Sequence, residues 1–400
     1  MTRNRTLEPA VFGAIIAFLF AAVVAHLIGR VPGQFSTQLL TPNWMPQQIV
    51  KLIETSNDVQ VAMVADVLPA EHPDIAIVLI NEDALVDLPY VSPIDRGWVS
   101  GLLKAIDTLQ PKAIAVDLLF DRATEPAKDA LLLETIKTID VPIVLGAADG
   151  RYAMPLQARS WQSAFLKKAG RPVGYLNLQY DAQEASGDPI IRYRAASEPD
   201  GDFEKSFAER IGEVVGRGAA ANERRIPWLA QPTEGETFFE LDAAAVLEAA
   251  RDPEGFLAVA LSQQIAGRIV FVGGDFPGRD RHPTPLTMNG DEDMLGVKVH
   301  AHILAGLLDG RALKDLSPQI VQVVVFGLAF FGMCAGILLQ RRGARLAWIL
   351  SLTSVAVVGF GLLALWNLRE VIPLALFVSV LLGSVLVSKL LVRFVPSLRF

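Results

Sequence analysis

Charged side chains follow several short apolar runs in the middle of this 400-residue chain. Apolar runs bounded by polar residues are typical of buried strands. Ligands of open α/β sheets bind at the carboxyl ends of the strands, so these side chains are candidates for one cleft that takes a cationic or polar molecule. The alternative is that they cap helices and form loop hydrogen bonds. The candidate ligand-binding residues are Glu82, Asp83, Asp95, Arg96, Asp117, Asp121, Asp275, Asp280 and Arg281.

One short motif is similar to a catalytic signature. Gly273–Phe276 is similar to the GGDEF signature of diguanylate cyclases, but the second acidic residue is absent and Pro277 follows. A Gly-Gly pair at the end of a strand is a sufficient explanation, because a short motif indicates catalysis only in its structural context. No Ser/His/Asp arrangement and no poised pair of carboxylates stands out. The sequence therefore predicts no catalytic residue and no enzyme activity.

A group of histidines and acids suggests a metal site. His300 and His302 lie close in sequence to Asp291–Asp293, and His282 is a further candidate ligand. On a helix, however, residues i and i+2 point about 200° apart and cannot share one ion. We expect His300 to pack or to hydrogen-bond the Asp280–Thr284 loop, with no metal and no cofactor bound.

The pattern of apolar residues predicts the elements that position these side chains. The predicted strands are Ile75–Ile80, Pro111–Asp117, Val141–Gly146, Gly174–Leu178, Ile190–Arg194 and Arg268–Gly273. The predicted helices are Trp98–Leu109 after an Asp95 cap, Asp129–Ile139, Phe203–Val215, Leu241–Ala250 and Gly296–Gly310. We expect an irregular or helical lead-in at 31–66, an acidic turn at 181–188 and a loop at 219–237. The strand–helix–strand order indicates an α/β domain with a largely parallel mixed sheet.

Four apolar stretches, each about 20 residues long, are long enough to cross a membrane as helices. One precedes the α/β domain and three follow it, so we expect one N-terminal and three C-terminal transmembrane helices. The predicted organisation is a cytoplasmic tail at 1–8, spans at 9–29, 319–340, 346–366 and 371–392, the α/β domain at 30–318, a cytoplasmic loop at 341–345, an outer loop at 367–370 and a cytoplasmic tail at 393–400.

Basic residues near the ends of these stretches predict the orientation, since Arg and Lys accumulate on the cytoplasmic side. Both termini are then cytoplasmic, and the α/β domain is periplasmic or otherwise extracytoplasmic on a bacterial inner membrane. The alternative for the first stretch is a cleaved signal peptide, but its apolar part is long and no clean cleavage site follows. The basic residues are Arg3, Arg5, Arg341, Arg342, Arg345, Lys389, Arg393 and Arg399.

Charge and cysteine content narrow the function further. The tail before the first apolar stretch contributes +1 and the part after Pro318 contributes +6 to a net charge of −7, so the α/β domain carries −14. An acidic domain repels phosphate backbones, so nucleic acid is not expected as a partner. The single cysteine, Cys334, lies in a predicted span, and the domain must therefore fold without disulfides.

Small residues in the second predicted span form a candidate helix-packing face. Gly332 and Gly336 have the spacing at which helices approach closely in membranes. Packing within one chain and packing between subunits look alike in sequence, so both remain open. No span carries a charge near its centre, which argues against an ion or proton pathway.

The domain resembles CHASE2, an extracytoplasmic sensory domain of bacterial membrane receptors. The resemblance covers most of Asp74–Arg311 and extends to the arrangement of one span before the domain and three after it. It implies that the domain senses a signal outside the cytoplasm. The residues that carry it are Ile269–Gly274, Asp280, Thr284-Pro285 and Gly296–Ala301, supported by Ile80–Asp83, Pro93–Arg96 and Lys112–Phe120.

Proteins of this kind usually continue into a cytoplasmic catalytic domain, whereas these 400 residues contain no P-loop, kinase, phospho-acceptor or cyclase motif. The leading hypothesis is a non-enzymatic, membrane-anchored sensor or scaffold that passes its signal to a separate protein. The alternative is a structural subunit of a homo- or hetero-oligomeric membrane assembly, and a third hypothesis is an extracytoplasmic hydrolase. The expected partners are the lipid bilayer, further copies of the chain, and a separate signalling or assembly protein.

Overall fold

The computed structural model describes residues 7–29, 47–88, 90, 92–180, 190–196, 201–217, 224–276, 278, 280–289, 292–395 and 398. They form two compact units. The helical unit includes α1, α2 and the chain from Leu313 onward, and the α/β unit comprises Ala65–Tyr180 and Ile190–Ala312. Several predictions lie outside the described residues, namely the acidic turn at 181–188, the start of the loop at 219–237, much of the lead-in, Asp291, and the basic residues Arg3, Arg5 and Arg399.

The secondary structure comprises both long apolar helices and short strands. The helices are α1 (Leu7–Gly29), α2 (Gln47–Met63), α3 (Arg96–Thr108), α4 (Pro126–Thr138), α5 (Leu156–Ala169), α6 (Phe207–Val214), α7 (Ala243–Arg251), α8 (Phe256–Ile265), α9 (Gly296–Asp309), α10 (Pro318–Leu338), α11 (Gly343–Leu368) and α12 (Leu374–Phe394). The strands are β1 (Asp66–Val67), β2 (Ile75–Asn81), β3 (Ala113–Asp117), β4 (Ile143–Ala147), β5 (Val173–Tyr175), β6 (Gln179–Tyr180), β7 (Ile191–Tyr193), β8 (Leu229–Ala230), β9 (Phe239–Asp242), β10 (Ile269–Asp275), β11 (Arg281–His282), β12 (Met294–Leu295), β13 (Lys314–Asp315) and β14 (Glu370–Val371).

A six-stranded sheet in the order β5-β4-β3-β10-β2-β9 forms the centre of the α/β unit. Every pair of neighbouring strands in it is parallel. Parallel strands are covered on both faces, which explains why β2 is a continuous apolar run with six buried residues. The prediction of a largely parallel sheet is confirmed, but the main sheet is not mixed, since all its pairs are parallel. The antiparallel pairs β6–β7 and β11–β12 lie in separate two-stranded sheets.

Helices cover the two faces of this sheet. Val270 and Val272 of β10 belong to the hydrophobic core that also contains buried residues of α3, α4, α5, α7 and α8. Alternate residues of a strand point to opposite faces, and Phe271 accordingly contacts Phe207 of α6, with 6.0 Å between the ring centroids. On that second face α6 also packs against α9. The unit is thus a sheet between two helical layers.

Some elements of the α/β unit differ from the prediction. The helix expected at Leu241–Ala250 begins only at Ala243, because the residues before it form β9, an edge strand of the main sheet. α5 and α8 were not predicted. α5 buries few of its residues, among them the polar Gln162, and the first residues of α8 are exposed and apolar. Neither helix therefore has the clear apolar stripe on which such predictions depend.

α9 lies unusually close to the sheet at Gly273, near the end of β10. A Cβ atom at Gly273 would lie only 2.6 Å from Cβ of Val297, in the first turn of α9. The absence of a side chain at this position lets the helix approach the strand directly. The start of α9 is therefore held against the carboxyl end of β10.

Among the described residues of the helical unit, four helices are long and apolar enough to cross a membrane, at Val11–Ile28, Pro318–Leu338, Gly343–Leu368 and Leu374–Phe394. The structure supports the predicted candidate spans. α10 packs against α1 and α12, and α12 packs against α11 and α2. The assignment of the intervening segments to the two sides of a membrane stays a prediction.

The structure places the two helix-packing glycines against α12 of the same chain. A Cβ atom at Gly332 would lie 2.7 Å from the carbonyl oxygen of Leu381, and one at Gly336 would overlap the side chain of Ser388. The close approach of α10 and α12 therefore uses the space left by both glycines. Of the two open alternatives, packing within the chain is the one that these contacts show.

The side chain of Gln60 joins α2 to the connection between α11 and α12. Its Nε2 donates to the carbonyl oxygen of Ile372 at 2.8 Å, and the Ile372 amide donates back to Oε1 at 3.1 Å. Both residues are buried in the helical unit. The amide side chain thus satisfies both backbone groups of Ile372, as a neighbouring strand would.

Candidate ligand-binding site

Polar residues of three adjacent strands lie at the carboxyl edge of the main sheet. Asn81 ends β2, Asp275 ends β10 and Asp117 ends β3, and the register places Asn81 opposite Asp275 and Asp117 opposite Gly273. The sequence predicted one cleft at this edge. The structure instead places four of the candidates in two groups: Arg96 and Asp121 line the arginine cavity, and Asp117 and Asp280 belong with His282 and His300 to the acid–histidine cluster.

The arginine cavity has a volume of about 270 Å³. Its walls are mainly apolar and include Ile94, Leu118, Leu119 and Phe276. Leu118 follows the end of β3 and Phe276 follows the end of β10, so the cavity begins where these neighbouring strands end. It is slightly below the usual range of small-molecule sites, about 300–1,000 Å³, and suits a small ligand.

The charged residues that line the cavity are Arg96, Asp121 and Arg122. Asp121 and Arg122 form an ion pair at 2.9 Å, and this pair, more than burial, keeps the pKa of Asp121 below its usual value. Arg122 is 62% exposed, so the cavity reaches solvent. Asp121 and Arg122 form the closest ion pair of the lining, whereas the nearest carboxylate to Arg96 is Asp129, at 3.8 Å.

Arg96 is only 2% exposed, although it carries a full charge. Its guanidinium lies over the ring of Phe120, with 4.6 Å from Cζ to the ring centroid. Among the residues that the structure describes, its Nε and Nη2 have no hydrogen-bond partner. Burial lowers the pKa of Arg96 from its ordinary value. A buried, incompletely paired charge is unfavourable unless something else satisfies it.

The acidic residue nearest to Arg96 is already engaged elsewhere. Oδ1 of Asp129 lies 3.8 Å from Nε of Arg96, which is too long for a hydrogen bond. The same carboxylate accepts hydrogen bonds from the amide of Thr124 at 2.9 Å and from its hydroxyl at 2.8 Å. Asp129 therefore offsets the charge of Arg96 only through space.

Both carboxylate oxygens of Asp95, the residue before Arg96, have hydrogen-bond partners. Its Oδ1 accepts from the amides of Gly97 at 2.8 Å and Trp98 at 3.0 Å and so caps α3, as the sequence predicts. Its Oδ2 accepts a short hydrogen bond from Lys128. Burial would raise the pKa of Asp95, but the bonds from Lys128 and the two amides outweigh it and leave the pKa lowered. Asp95 is thus fully occupied within the described fold.

The acid–histidine cluster comprises Asp117, Asp280, His282 and His300, on the face of the sheet that α9 covers. Burial, with the nearby charge of Asp280, raises the pKa of Asp117 well above its ordinary value. Asp280 has a positive φ of 52°, and its Oδ1 lies 2.9 Å from Nε2 of His282. Its carbonyl oxygen accepts from the amide of Gly296 at 2.9 Å, which fixes the loop to the start of α9. Asp280 thus ties the cluster to α9, although its own side chain is 56% exposed and Nδ1 of buried His300 has no hydrogen-bond partner in the described residues.

The two histidines of α9 face different neighbours. The ring of His300 packs edge-on against Phe207, and the ring of His302 packs against Trp228 and Phe238. Burial lowers the pKa of His300 to about 4 and that of His302 to about 3, so both are neutral at pH 7. In the described part of the chain, no group of three or more His, Cys, Asp or Glu residues is arranged to hold a metal ion.

The remaining candidate residues lie outside both groups. Arg281 donates to Asp275 at 2.7 Å, in a pair that is about one-third exposed on each side. Glu82 and Asp83 are exposed and lie at the short turn of helix that follows β2. The structure therefore brings Arg96 and Asp121 to the cavity and Asp117 and Asp280 to the cluster. Whether any of these residues binds a ligand stays a prediction.

One comparison with known proteins identifies the family. The family model described as CHASE2 domain matches residues 25–338, well over half of the chain. The chain belongs to the CHASE2 domain family. CHASE2 is an extracytoplasmic sensory domain, which agrees with the resemblance seen in the sequence and supports a sensory role in general. Comparison with curated proteins and with solved structures finds no significant match.

Sequence reasoning missed part of the arginine cavity of this CHASE2 domain. Leu118, Leu119 and Phe276 form its walls, and Arg122 lines its opening. Leu118 and Phe276 each come directly after an acidic strand-end residue, Asp117 and Asp275, that was among the candidates. Attention to polar residues alone overlooked them, although ligand sites are mostly apolar with few polar groups.

Proposed function

We propose that this chain is a non-enzymatic, membrane-anchored sensor. Its CHASE2 domain binds an extracytoplasmic signal and passes the bound state through the membrane helices to a separate protein. The observation that carries this proposal is the arginine cavity, which combines apolar walls with a buried, incompletely satisfied Arg96 at the carboxyl edge of a parallel sheet. Such edges are the usual ligand sites of open α/β folds.

The chain provides a short route from the domain to the membrane helices. α9 ends at Asp309 and α10 begins at Pro318, so few residues separate the last helix of the α/β unit from the first C-terminal span. A ligand acts on such a route only if it binds one arrangement of domain and helices more tightly than another. The proposal therefore requires that ligand binding change the state of α9.

The proposed orientation places the CHASE2 domain outside the cytoplasm of a bacterial inner membrane, with both chain termini inside. Arg341 and Arg342 between α10 and α11, and Arg345 in the first turn of α11, support this orientation, as does Arg393 at the end of α12. Single cysteines at Arg345 and Asp315, introduced after Cys334→Ser, test it with a membrane-impermeant thiol reagent on intact cells. Labelling at 315 but not at 345 is expected, and the reverse pattern contradicts the orientation.

The partner protein is tested by gentle extraction of the tagged chain from its own membranes, followed by measurement of the mass and protein content of the complex. A cytoplasmic regulator or kinase present in stoichiometric amount supports the sensor. A complex of this chain alone, in a large defined oligomer, contradicts it. The same extraction after Trp348→Ala and Leu352→Ala tests whether the exposed face of α11 holds the complex together.

A structural subunit of a membrane assembly is the alternative, and one observation favours it. α11 exposes large apolar side chains along much of its length, with Trp348 78% exposed and Phe360 75% exposed within the chain. Lipid or a helix of another subunit covers such a face in a membrane. If the two α11 substitutions dissolve a homo-oligomer without releasing any second protein, the assembly is the function.

A further inference from the structure

The arginine cavity has the wrong charge for the cationic ligand that the acidic composition suggests. Its lining contains two guanidinium groups and one carboxylate, and Asp121 is paired with Arg122. Asp129 bonds to Thr124, and Asp95 bonds to Lys128 and to the start of α3. The nearby carboxylates are thus engaged, and a cation would meet Arg96 without an available acceptor.

We propose that the arginine cavity binds a small organic anion whose carboxylate pairs with Arg96 and whose apolar part contacts Leu118, Leu119 and Phe276. This ligand class rests on the proposed sensory function, because it names the signal that the domain would detect. Two adjacent carboxylate oxygens match the fork of guanidinium N–H donors, which are Nε and the terminal nitrogens. Nε and Nη2 of Arg96 lack partners in the described structure but are shielded from solvent, so the proposal requires that the cavity wall move to admit the carboxylate.

The position of Arg96 favours recognition over a purely structural role. Arg96 is the first residue of α3 and directly follows Asp95, whose side chain caps the helix. The backbone at Arg96 is therefore fixed. The ring of Phe120 supports one face of the guanidinium. A pre-positioned, desolvated arginine loses little freedom when a ligand binds, which raises affinity. The cavity volume of about 270 Å³ limits the ligand to a small molecule.

Arg122 and Asp121 form the polar opening of the cavity. Arg122 lies at the exposed side and pairs with Asp121 there, so it is available to steer an anion inward but is not buried itself. Exposed ion pairs contribute little to stability. We therefore expect Arg122 to affect the rate of association and its salt dependence, whereas Arg96 determines affinity.

The test compares each carboxylate with its own amide. The full chain in lipid nanodiscs is titrated by calorimetry with butanoate, hexanoate and benzoate, and with butanamide, hexanamide and benzamide. At least one carboxylate is expected to bind at least tenfold more tightly than its amide. Equal binding of acid and amide, or no binding of any carboxylate at millimolar concentration, overturns the proposal.

Variants assign the binding to the cavity. Arg96→Gln is expected to weaken carboxylate binding at least tenfold, and Arg96→Lys to weaken it less, since it keeps the charge but loses the fork. Arg251→Gln is the matched control, because Arg251 is an exposed arginine paired with Glu248 on α7. Leu119→Trp, which fills the cavity while Arg96 remains, is also expected to abolish binding. Unchanged binding in both Arg96→Gln and Leu119→Trp overturns the proposal.

These results are distinct from those that test the sensor itself. Absence of a partner in the extracted complex contradicts signalling to a separate protein but leaves the anion titration unaffected. Absence of anion binding overturns the ligand class and leaves the partner result as it stands. The two failures are therefore observed in different measurements.

Discussion

The two groups of polar residues at the carboxyl edge of the sheet differ in how they are joined to the rest of the fold. On the face covered by α9, Asp280 of the acid–histidine cluster is bonded to His282 and to the start of the helix, while Nδ1 of buried His300 lacks a partner in the described structure. On the face covered by α3 and α4, the arginine cavity is open to solvent and leaves Arg96 without hydrogen bonds at Nε and Nη2 in the described structure. The same edge thus has one side that holds the fold together and one side that can receive a ligand.

The difference shows that charge by itself is a poor guide to a binding site. The acidic residues that were the most conspicuous candidates are largely engaged in capping, ion pairs and loop bonds. The informative residue of the cavity is Arg96, which is buried and whose nearest carboxylate, Asp129, is already bonded to Thr124. Unsatisfied buried groups in a native fold call for an explanation, and a ligand is one.

The largest expected effect tests how tightly α9 is held against β10. Gly273→Val introduces a Cβ atom that would lie 2.6 Å from Cβ of Val297. This overpacking is expected to destabilise the CHASE2 domain by about 3 kcal/mol. Hydrogen exchange of β10 and α9 peptides in the full chain in nanodiscs measures it. Gly150→Val is the control, since no atom lies within 4 Å of its Cβ position. Equal exchange in the two variants would show that α9 is not tightly held.

The next largest effect is the pH dependence of stability that arises from His300 on α9. The pKa of buried His300 is about 4, below its ordinary value of 6.5, so between these values the unfolded chain takes up a proton that the folded chain does not. Stability is therefore complete above pH 6.5 and falls as the pH decreases. Wild type is expected to lose about 2 kcal/mol more than His300→Phe between pH 7 and pH 5.

Two features make the His300 measurement specific. Phenylalanine keeps an aromatic ring against Phe207 while removing the titrating group. The charged neighbours that act on His300 are Asp280 and His282, and both remain in the variant. Exchange of α9 peptides at the two pH values gives the difference, and identical pH profiles would mean that His300 is already protonated or accessible to water.

Beside the arginine cavity, Asp95→Ala removes the cap of α3 and a partner of Lys128. The expected loss is about 1–2 kcal/mol, measured by thermal unfolding of the full chain or by exchange of α3 peptides. Glu125→Ala is the control, because it removes only partly exposed bonds to Lys128 and Tyr90. That change is expected to cost less than about 1 kcal/mol. A larger loss from Glu125→Ala would place the structural anchor elsewhere.

The smallest effect is a gain in stability, and it distinguishes Arg96 from Asp95. Arg96→Met replaces an incompletely paired buried charge by an apolar chain, and the ligand-free domain is expected to gain about 1 kcal/mol. Arg251→Met, at an exposed position, should leave stability unchanged within about 0.5 kcal/mol. If Arg96→Met instead destabilises the domain, the contact with Phe120 outweighs the unpaired charge and Arg96 is a structural residue.

The apolar pattern was sufficient to predict the central strands, because strands buried on both faces are continuous apolar runs that few other elements produce. β2, β3, β4 and β10 were identified in this way, and so were the four apolar helices. β9 was missed because its sequence, Phe-Glu-Leu-Asp, alternates over only four residues and precedes a helix directly. α5 was missed because the side chains it buries include a glutamine that bonds the backbone of Ala148.

The site was harder to predict for a different physical reason. Sequence shows which residues follow strands, but alternate residues at a strand end point to opposite faces, and this divides Asp117 from Leu118. It also does not show which carboxylates are already occupied. The status of Arg96 depends on Thr124 holding Asp129 and on Lys128 holding Asp95, contacts made between residues about 5 and 33 positions apart in the chain.

The paired hydrogen bonds of Gln60 have a mechanical consequence within the helical unit. α2 and the connection from α11 to α12 are clamped by one side chain that both donates to and accepts from Ile372. A force that displaces α2 along its axis must either break both bonds, each worth about 1 kcal/mol or more in a buried setting, or drag the connection with it. A displacement of α2 is therefore coupled to the connection between α11 and α12.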